Sequence, residues 1–195
     1  MENIVKEPAL KYNYISPDEY LESERKATEK HELHNGLLIT MTGASLKHNA
    51  IVRNLIAEIA PFLKGKPCDV FPSDLRVNIP ATNSFTYPDL TIICGEPELL
   101  DDHADTLLNP SVIIEVLSPS TENYDKGNKF FIYQQIPSLK EYILIRSTAI
   151  EVQIITKKEN DLWQFETITN AEASFFIKTT AQQIPLKEVY YDINF

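Results

Sequence analysis

Cysteine is scarce in this 195-residue chain. The two present, Cys68 and Cys94, lack metal-type spacing, and each sits in a β-prone run where a free thiol behaves as a small buried hydrophobe. A disulfide framework is therefore not expected. No apolar run approaches the ~20 residues needed to cross a bilayer. Met1 to Ala9 hold two acids and no hydrophobic segment of signal-peptide type. The expected compartment is the cytoplasm, with no membrane partner. Internal repeats and low-complexity tracts are also absent. Positive charge is in deficit: 18 Lys and Arg face 28 Asp and Glu, a formal net charge of -10. Basic side chains supply most non-specific affinity for nucleic acid, so the overall charge taken alone favours another partner. The local field at a site matters more than the sum, however, and acids gathered at a cation site leave room for a basic rim. Lys47, Arg53, Lys64 and Lys66 are candidates for such a rim, or simply exposed helix residues.

The composition that remains is that of one globular domain, residues 1–195, with residues 1–12 loose. Ser16-Pro17-Asp18-Glu19 is a helix start, with Ser at the cap, Pro at the first position and Glu at the third; the helix is expected to reach about Ala27. Asn35-Gly36 between the runs 32–34 and 37–41 predicts a tight hairpin. Ile51, Leu55, Ile56, Ile59, Phe62 and Leu63 repeat at helical spacing, closed by Gly65 and Pro67. Strands are expected at 69–79, with an irregularity at Pro72, and at 87–94 and 111–117. Between the last two lies an acidic loop, 95–110. A helix over 123–135 follows. The remainder is β-rich, with strands at 141–145, 150–156 and 163–169 in an antiparallel meander. Trp163, Phe165, Phe175 and Phe176 are expected in the core or on a dimer surface.

Within this frame two carboxylates stand out. Asp89, after Pro88, begins an apolar strand, and Glu115 interrupts Val112-Ile113-Ile114-Glu115-Val116-Leu117. A buried, unpaired carboxylate is costly, so each needs compensation. A divalent ion such as magnesium, which prefers oxygen ligands and keeps several waters, would compensate both and could activate water against a phosphodiester. Without metal, the two acids would repel and raise at least one carboxyl pKa. Asp125, Lys129 and Tyr133 share one face of the following helix at i, i+4 and i+8. An amine there can hold a phosphate or orient a nucleophile, and Lys126 is the nearest competitor for that role. Ser118, Ser120 and Thr121 offer hydroxyls where a substrate phosphate would sit at the strand end.

These blocks resemble the Uma-type family of bacterial restriction-endonuclease-like proteins, a branch of the PD-(D/E)XK superfamily. The resemblance runs from about Tyr14 to Tyr191. It is carried by Tyr14-Ile15-Ser16-Pro17-Asp18-Glu19-Tyr20-Leu21, Lys30-His31-Glu32-Leu33-His34-Asn35-Gly36, Tyr87-Pro88-Asp89-Leu90 and Ile114-Glu115-Val116-Leu117-Ser118-Pro119-Ser120-Thr121. Asp125 with Lys129, and Tyr133-Gln134-Gln135-Ile136-Pro137-Ser138-Leu139, complete it. The resemblance implies an α/β, restriction-endonuclease-like core: a mixed β-sheet flanked by helices, with an N-terminal helix and hairpin and a C-terminal β-rich extension. It further implies a magnesium-dependent endonuclease acting on DNA, with manganese as a substitute ion and a homodimeric assembly. Asp89 and Glu115 are then the metal ligands, Lys129 the catalytic lysine and Glu32 a further acid of the site. Ser118, Ser120 and Lys126 remain candidates for substrate phosphate. The lysine that the wider superfamily carries two residues after its second acid is Leu117 here, so the amine has to come from the next helix.

Other assignments compete with these. Glu115 would pair with Arg76 or Lys47 in a purely structural core. Lys129 would pair with Asp125 as an ordinary helix contact, and Asp74 with Arg76. His48 would be structural or solvent-facing, or else a base or phosphate ligand. His31 and His34 make no convincing metal pair, so no zinc site is expected, and Asp101, Asp102 and Asp105 lack the order of a calcium loop. A catalytically weak DNA-binding or assembly module of a mobile element or defence system is the alternative function. Hydrolysis of some other phosphate ester is a third.

Overall fold

Ser16 caps the first helix, α1 (Pro17–Glu24), in the computed structural model, which describes residues 14–119 and 122–195. Its hydroxyl accepts from Glu19 N at 3.3 Å while Glu19 Oε2 accepts from Ser16 N at 2.9 Å, a reciprocal cap. The helix stops at Glu24, short of the expected Ala27. The hairpin β1 (His31–His34) and β2 (Leu37–Thr40) turns on Asn35 and Gly36, with φ of 47° and 85°. Positive φ at both central residues is what a type I′ turn requires. A Cβ on Gly36 would lie 2.1 Å from the Tyr14 ring. Helix α2 (Leu46–Leu63), capped by Ser45, buries Ile51, Leu55, Ile59 and Leu63 along one stripe.

The expected strand over 69–79 is two strands. β3 (Cys68–Pro72) and β4 (Arg76–Ile79) belong to different sheets, because the chain turns between them with Leu75 N donating to Pro72 O. Two short strands were not anticipated. β5 (Ser84–Thr86) pairs with β4, and β7 (Thr106–Leu107), inside the segment expected to be loop, runs parallel to it. β6 (Leu90–Cys94) and β8 (Val112–Leu117) are antiparallel. Helix α3, residues 122–133, is α-helical at Glu122–Tyr124, π-helical over Asp125–Lys129 and α-helical again at Phe130–Tyr133. The expected meander follows as β9 (Glu141–Arg146), β10 (Val152–Lys157) and β11 (Trp163–Ile168). A hairpin, β12 (Ser174–Ile177) with β13 (Gln182–Pro185), leads into the short helix α4 (Leu186–Val189).

The strands form a five-stranded sheet, β2-β1-β5-β4-β7, and a six-stranded sheet, β11-β10-β9-β8-β6-β3, besides the last hairpin. The larger sheet is mixed because β8 and β9 are parallel while its other pairs are antiparallel. Strand alternation divides its side chains between two cores. Val112, Ile114 and Val116 join Ile143, Ile145, Val152 and Ile154 under Ile51, Leu55 and Ile59 of α2, with Phe175, Ile184 and Val189 closing that side. Ile113 and Leu117 face the other way, onto Tyr133 of α3, Val77 and Ile79 of β4, and Tyr142 and Leu144 of β9. Glu115 falls on this second face by the two-residue period. Asn54 ties α2 to the chain end by donating to Val189 O and Tyr191 O. Emptying a site such as Leu55 would cost roughly 2–5 kcal/mol.

The expectation of free thiols is corrected. Register sets Cys68 directly opposite Cys94 across β3 and β6, and the two are joined in a disulfide. Read one at a time, the two runs give no hint of this register. Trp163 and Phe165 of the edge strand pack edge-on against Phe130, Phe175 is buried and Phe176 is exposed. Among the described residues no helix is long and apolar enough to cross a membrane.

Candidate active site

One step beyond the Leu90↔Ile114 pair of the β6–β8 ladder, Asp89 stands opposite Glu115. There the side chains replace the ladder. Glu115 Oε2 accepts from Asp89 N at 3.2 Å, and Asp89 Oδ2 accepts from Val116 N at 2.7 Å, so each carboxylate caps the backbone of the other strand. Pro88 has no N–H to lose and keeps its neighbour extended, which suits a residue just before the strand. The second oxygens point elsewhere. Asp89 Oδ1 lies 2.9 Å from His48 Nε2, at the start of α2. Glu115 Oε1 accepts from Lys129 Nζ at 3.0 Å and from Tyr133 Oη at 2.9 Å.

Lys129 is the centre of the cluster. Its ammonium also approaches Glu32 Oε1 at 3.2 Å and Asp125 Oδ1 at 3.7 Å, and its side chain is only 8% exposed. The π-helical turn lies at this lysine; such turns recur at functional sites. Glu32, on β1, accepts from Tyr87 N at 3.0 Å through Oε1, while its Oε2 lies 2.9 Å from His34 Nε2. The other His34 nitrogen meets the Tyr124 hydroxyl of α3, so α3 contacts Glu32 through both Lys129 and this tyrosine–histidine pair.

The electrostatics follow from burial and charge count. Burial pushes the Glu115 carboxyl up to about 8, with Asp89, Asp125 and Glu32 adding to the rise and Lys129 opposing it. Burial alone would raise Glu32 too, but Lys129, His34 and the Tyr87 amide bring it down to about 2. Burial likewise opposes charge on Lys129, yet the surrounding acids hold its proton well above the usual lysine range. For His48, burial is outweighed by Asp89, so its pKa lies above the ordinary histidine value. The cluster is thus a set of carboxylates with too few cations. Among the described residues no group of three or more His, Cys, Asp or Glu side chains is arranged to hold a metal.

The structure brings Asp89, Glu115, Lys129 and Glu32 together. Of the structural pairings weighed, those with Arg76 are not seen: Arg76 bonds to Asp105, Tyr87 and Thr106, and Asp74 pairs with Lys30. Lys129 does lie near Asp125, but closer to Glu115. Lys126 turns away, to Glu122 at 2.8 Å and Glu151 at 3.4 Å, where Arg146 joins both acids. Ser118 accepts the Glu122 N–H through its carbonyl at the head of α3; Ser120 and Thr121 lie outside the described residues. Two members were missed. His34 and Tyr124 meet across 90 residues of sequence, and their only signal was one of adjacency, since His34 alternates with Glu32 on β1. His48 is neither solvent-facing nor remote, because it sits on Asp89.

Residues 17–184 match the profile of the family Uma2, described as "Putative restriction endonuclease". Two uncharacterized proteins of Synechocystis sp. are similar. One is 35% identical over 171 residues, covering 88% of this chain and 87% of the relative. The other is 37% identical over 163 residues, covering 83% and 92%. A crystal structure from Anabaena variabilis, titled "putative nuclease belonging to DUF820", superposes with a TM-score of 0.73 over 90% of this chain and 97% of its own, at 19% identity. That likeness is one of fold, a mixed sheet flanked by helices of restriction-endonuclease-like type.

Proposed function

The chain belongs to the Uma2 family, and from that premise we propose that it is a metal-dependent nuclease hydrolysing phosphodiester bonds, with DNA as substrate. The observation that carries the reading is the pairing of Glu32 and Glu115 with one buried ammonium, Lys129, and of Glu115 with Asp89 across the two strands. Three acids, Glu32, Glu115 and Asp125, crowd this lysine, and burial, with Asp89, Asp125 and Glu32 adding to it, pushes the Glu115 carboxyl up. A hard cation bound through all-oxygen donors fits such a set, and magnesium commonly uses only one or two carboxylates, leaving positions for water and phosphate oxygens.

Asp89 and Glu115 would hold the magnesium ion, with manganese as a substitute. When bound, the ion polarises the scissile phosphoryl group and brings a water nearer its hydroxide form. The protein's own groups do the rest. Lys129 keeps its proton at Nζ and presents positive charge to the phosphoryl oxygens as charge develops on them. Glu32 and Asp125 aim that ammonium, and Tyr133 fixes the Glu115 oxygen that faces away from Asp89. His48 holds Asp89 in place from α2.

A supercoiled-plasmid nicking assay with magnesium or manganese tests the reading. Activity in the wild type that vanishes in Asp89→Asn and Lys129→Ala supports it; no cleavage of single- or double-stranded DNA by the wild type ends it for those substrates. The alternative, a binding module with little turnover, draws on the net charge of -10 and on Leu117 standing where the wider superfamily carries its lysine. A calorimetric magnesium titration separates the two, since a binder has no need of the ion. A cytoplasmic homodimer completes the proposal.

A further inference from the structure

A cleft of about 530 Å³ opens beside the acid cluster, between the exposed hairpin edge β2 and helix α3. Its walls are Leu37 and Ile39 of β2 facing Phe131 of α3, and Asn128 and Asn35 stand at its edges. His34 and Tyr124 line it as well; His34 contacts Glu32 behind it, and the Tyr124 hydroxyl meets His34. His34 and Glu32, in series, link the cleft to Lys129. Among the described residues no Asp, Glu, Lys or Arg side chain lines it. A phosphate would find no cation there.

Phe131 is 62% exposed, although it belongs to a helix whose neighbour Phe130 is packed among Tyr142, Trp163 and Phe165. The Asn128 amide is exposed on the same helix and has no hydrogen-bond partner among the described residues. An exposed aromatic face, flanking aliphatic side chains and neutral amides make up the chemistry that holds a nucleobase by stacking and edge hydrogen bonds. The charge distribution points the same way. Lys126 of α3 itself and Arg146 of β9 are tied to Glu122 and Glu151, so contacts with phosphates gain little here.

We infer that this cleft receives an unpaired nucleobase next to the scissile phosphate, stacked on Phe131, and that the substrate is single-stranded or locally unpaired DNA. The inference rests on the nuclease reading for its substrate but not for its geometry. A base held inside a duplex cannot enter such a cleft without leaving the stack.

The test uses the whole protein in EDTA, so that binding is measured apart from hydrolysis. The probes are a single-stranded DNA oligonucleotide carrying 2-aminopurine and the same strand annealed to its complement. The wild type is expected to bind the single strand more tightly than the duplex and to change the 2-aminopurine emission. Phe131→Ala should weaken single-strand binding on the order of tenfold, the scale of one base–aromatic stack, with an unchanged melting temperature; Phe131→Trp should restore it. Equal affinity of wild type and Phe131→Ala overturns the inference. So does a change in oligomeric state by light scattering without a change in affinity, which would make the cleft a contact between copies. Plasmid nicking measured in parallel keeps the two readings apart. Nicking that persists with an unaltered Phe131→Ala affinity sinks only the cleft, whereas base-dependent binding without any nicking sinks only the hydrolysis.

Discussion

Lys129 Nζ lies 3.0 Å from Glu115 Oε1, and the two side chains are each below a tenth exposed. Charge at such depth persists only where partners surround it, and the partners here come from three segments of chain: Glu32 of β1, Glu115 of β8 and Asp125 of α3 itself. The lysine holds the fold as well as the candidate site, and the two roles can be separated.

Removing the amine should damage both. Lys129→Ala leaves buried acids without their cation and is expected to cost roughly 3–5 kcal/mol of stability, read by thermal or urea unfolding. Lys129→Met paired with Glu115→Gln should recover much of that stability while nicking remains lost. Recovery of nicking along with stability would show that Lys129 acts only as a strut.

Asp89→Asn keeps an oxygen for the Val116 N–H but drops the negative charge. Magnesium affinity by calorimetry should fall by at least about tenfold, because a carboxylate is replaced by a weaker neutral donor, with near-wild-type melting of the apo protein. His48→Gln should weaken the ion less, since His48 reaches Asp89 and no other acid of the cluster at bonding distance.

Burial pushes the Glu115 carboxyl in the folded chain from its ordinary 4.5 up to about 8. Between those values the native state holds the extra proton, so the stability it contributes is present below about 4.5 and is lost as pH rises through about 8. Glu32 has the opposite sign: its pKa falls from 4.5 to about 2, so its contribution is present above 4.5 and is lost as pH falls through about 2. Melting temperatures of the metal-free protein should therefore decline from mildly acidic to alkaline pH. Glu115→Gln should flatten the alkaline slope, and Glu32→Gln the acidic one. Magnesium should stabilise most at high pH and release a proton on binding, seen as a dependence of calorimetric heat on buffer ionisation enthalpy.

Reduction tests the Cys68–Cys94 link. Closing a loop of 26 residues is worth roughly 3 kcal/mol in the chain-entropy account, so dithiothreitol or Cys68→Ser should lower the melting temperature without abolishing nicking. The bond lies at the opposite end of β6 from Asp89. Rapid alkylation on cell lysis, followed by mass spectrometry, checks that the bond is present in the cell.

Residues whose constraint is local were legible from sequence. Asn35-Gly36 specifies its own turn, Ser16 to Glu19 its own cap, and Glu115 is conspicuous because a charged side chain breaks an otherwise apolar strand. What escaped depends on pairing between distant segments. The division of 68–79 between two sheets follows from the turn after Pro72, where the sequence marks an irregularity but not a change of sheet. Cys68 faces Cys94 only through register, and Asp74 takes Lys30 while Arg76 turns inward to Asp105 and Tyr87. The contact between His34 and Tyr124 spans 90 residues and has no periodic trace in either segment.

Lys129 ends the wide turn of α3, where the helix accommodates one residue more than an ordinary turn would. Trimming Gly127 would tighten that turn and rotate everything after it by about 100°. Tyr133 would swing off Glu115 and Phe131 would leave the mouth of the cleft, without any change in which side chains the protein possesses. The spacing of this segment is thus a phase setting, and relatives that drop a single residue between the strand-end serine and the tyrosine would be expected to have lost catalysis and base capture together.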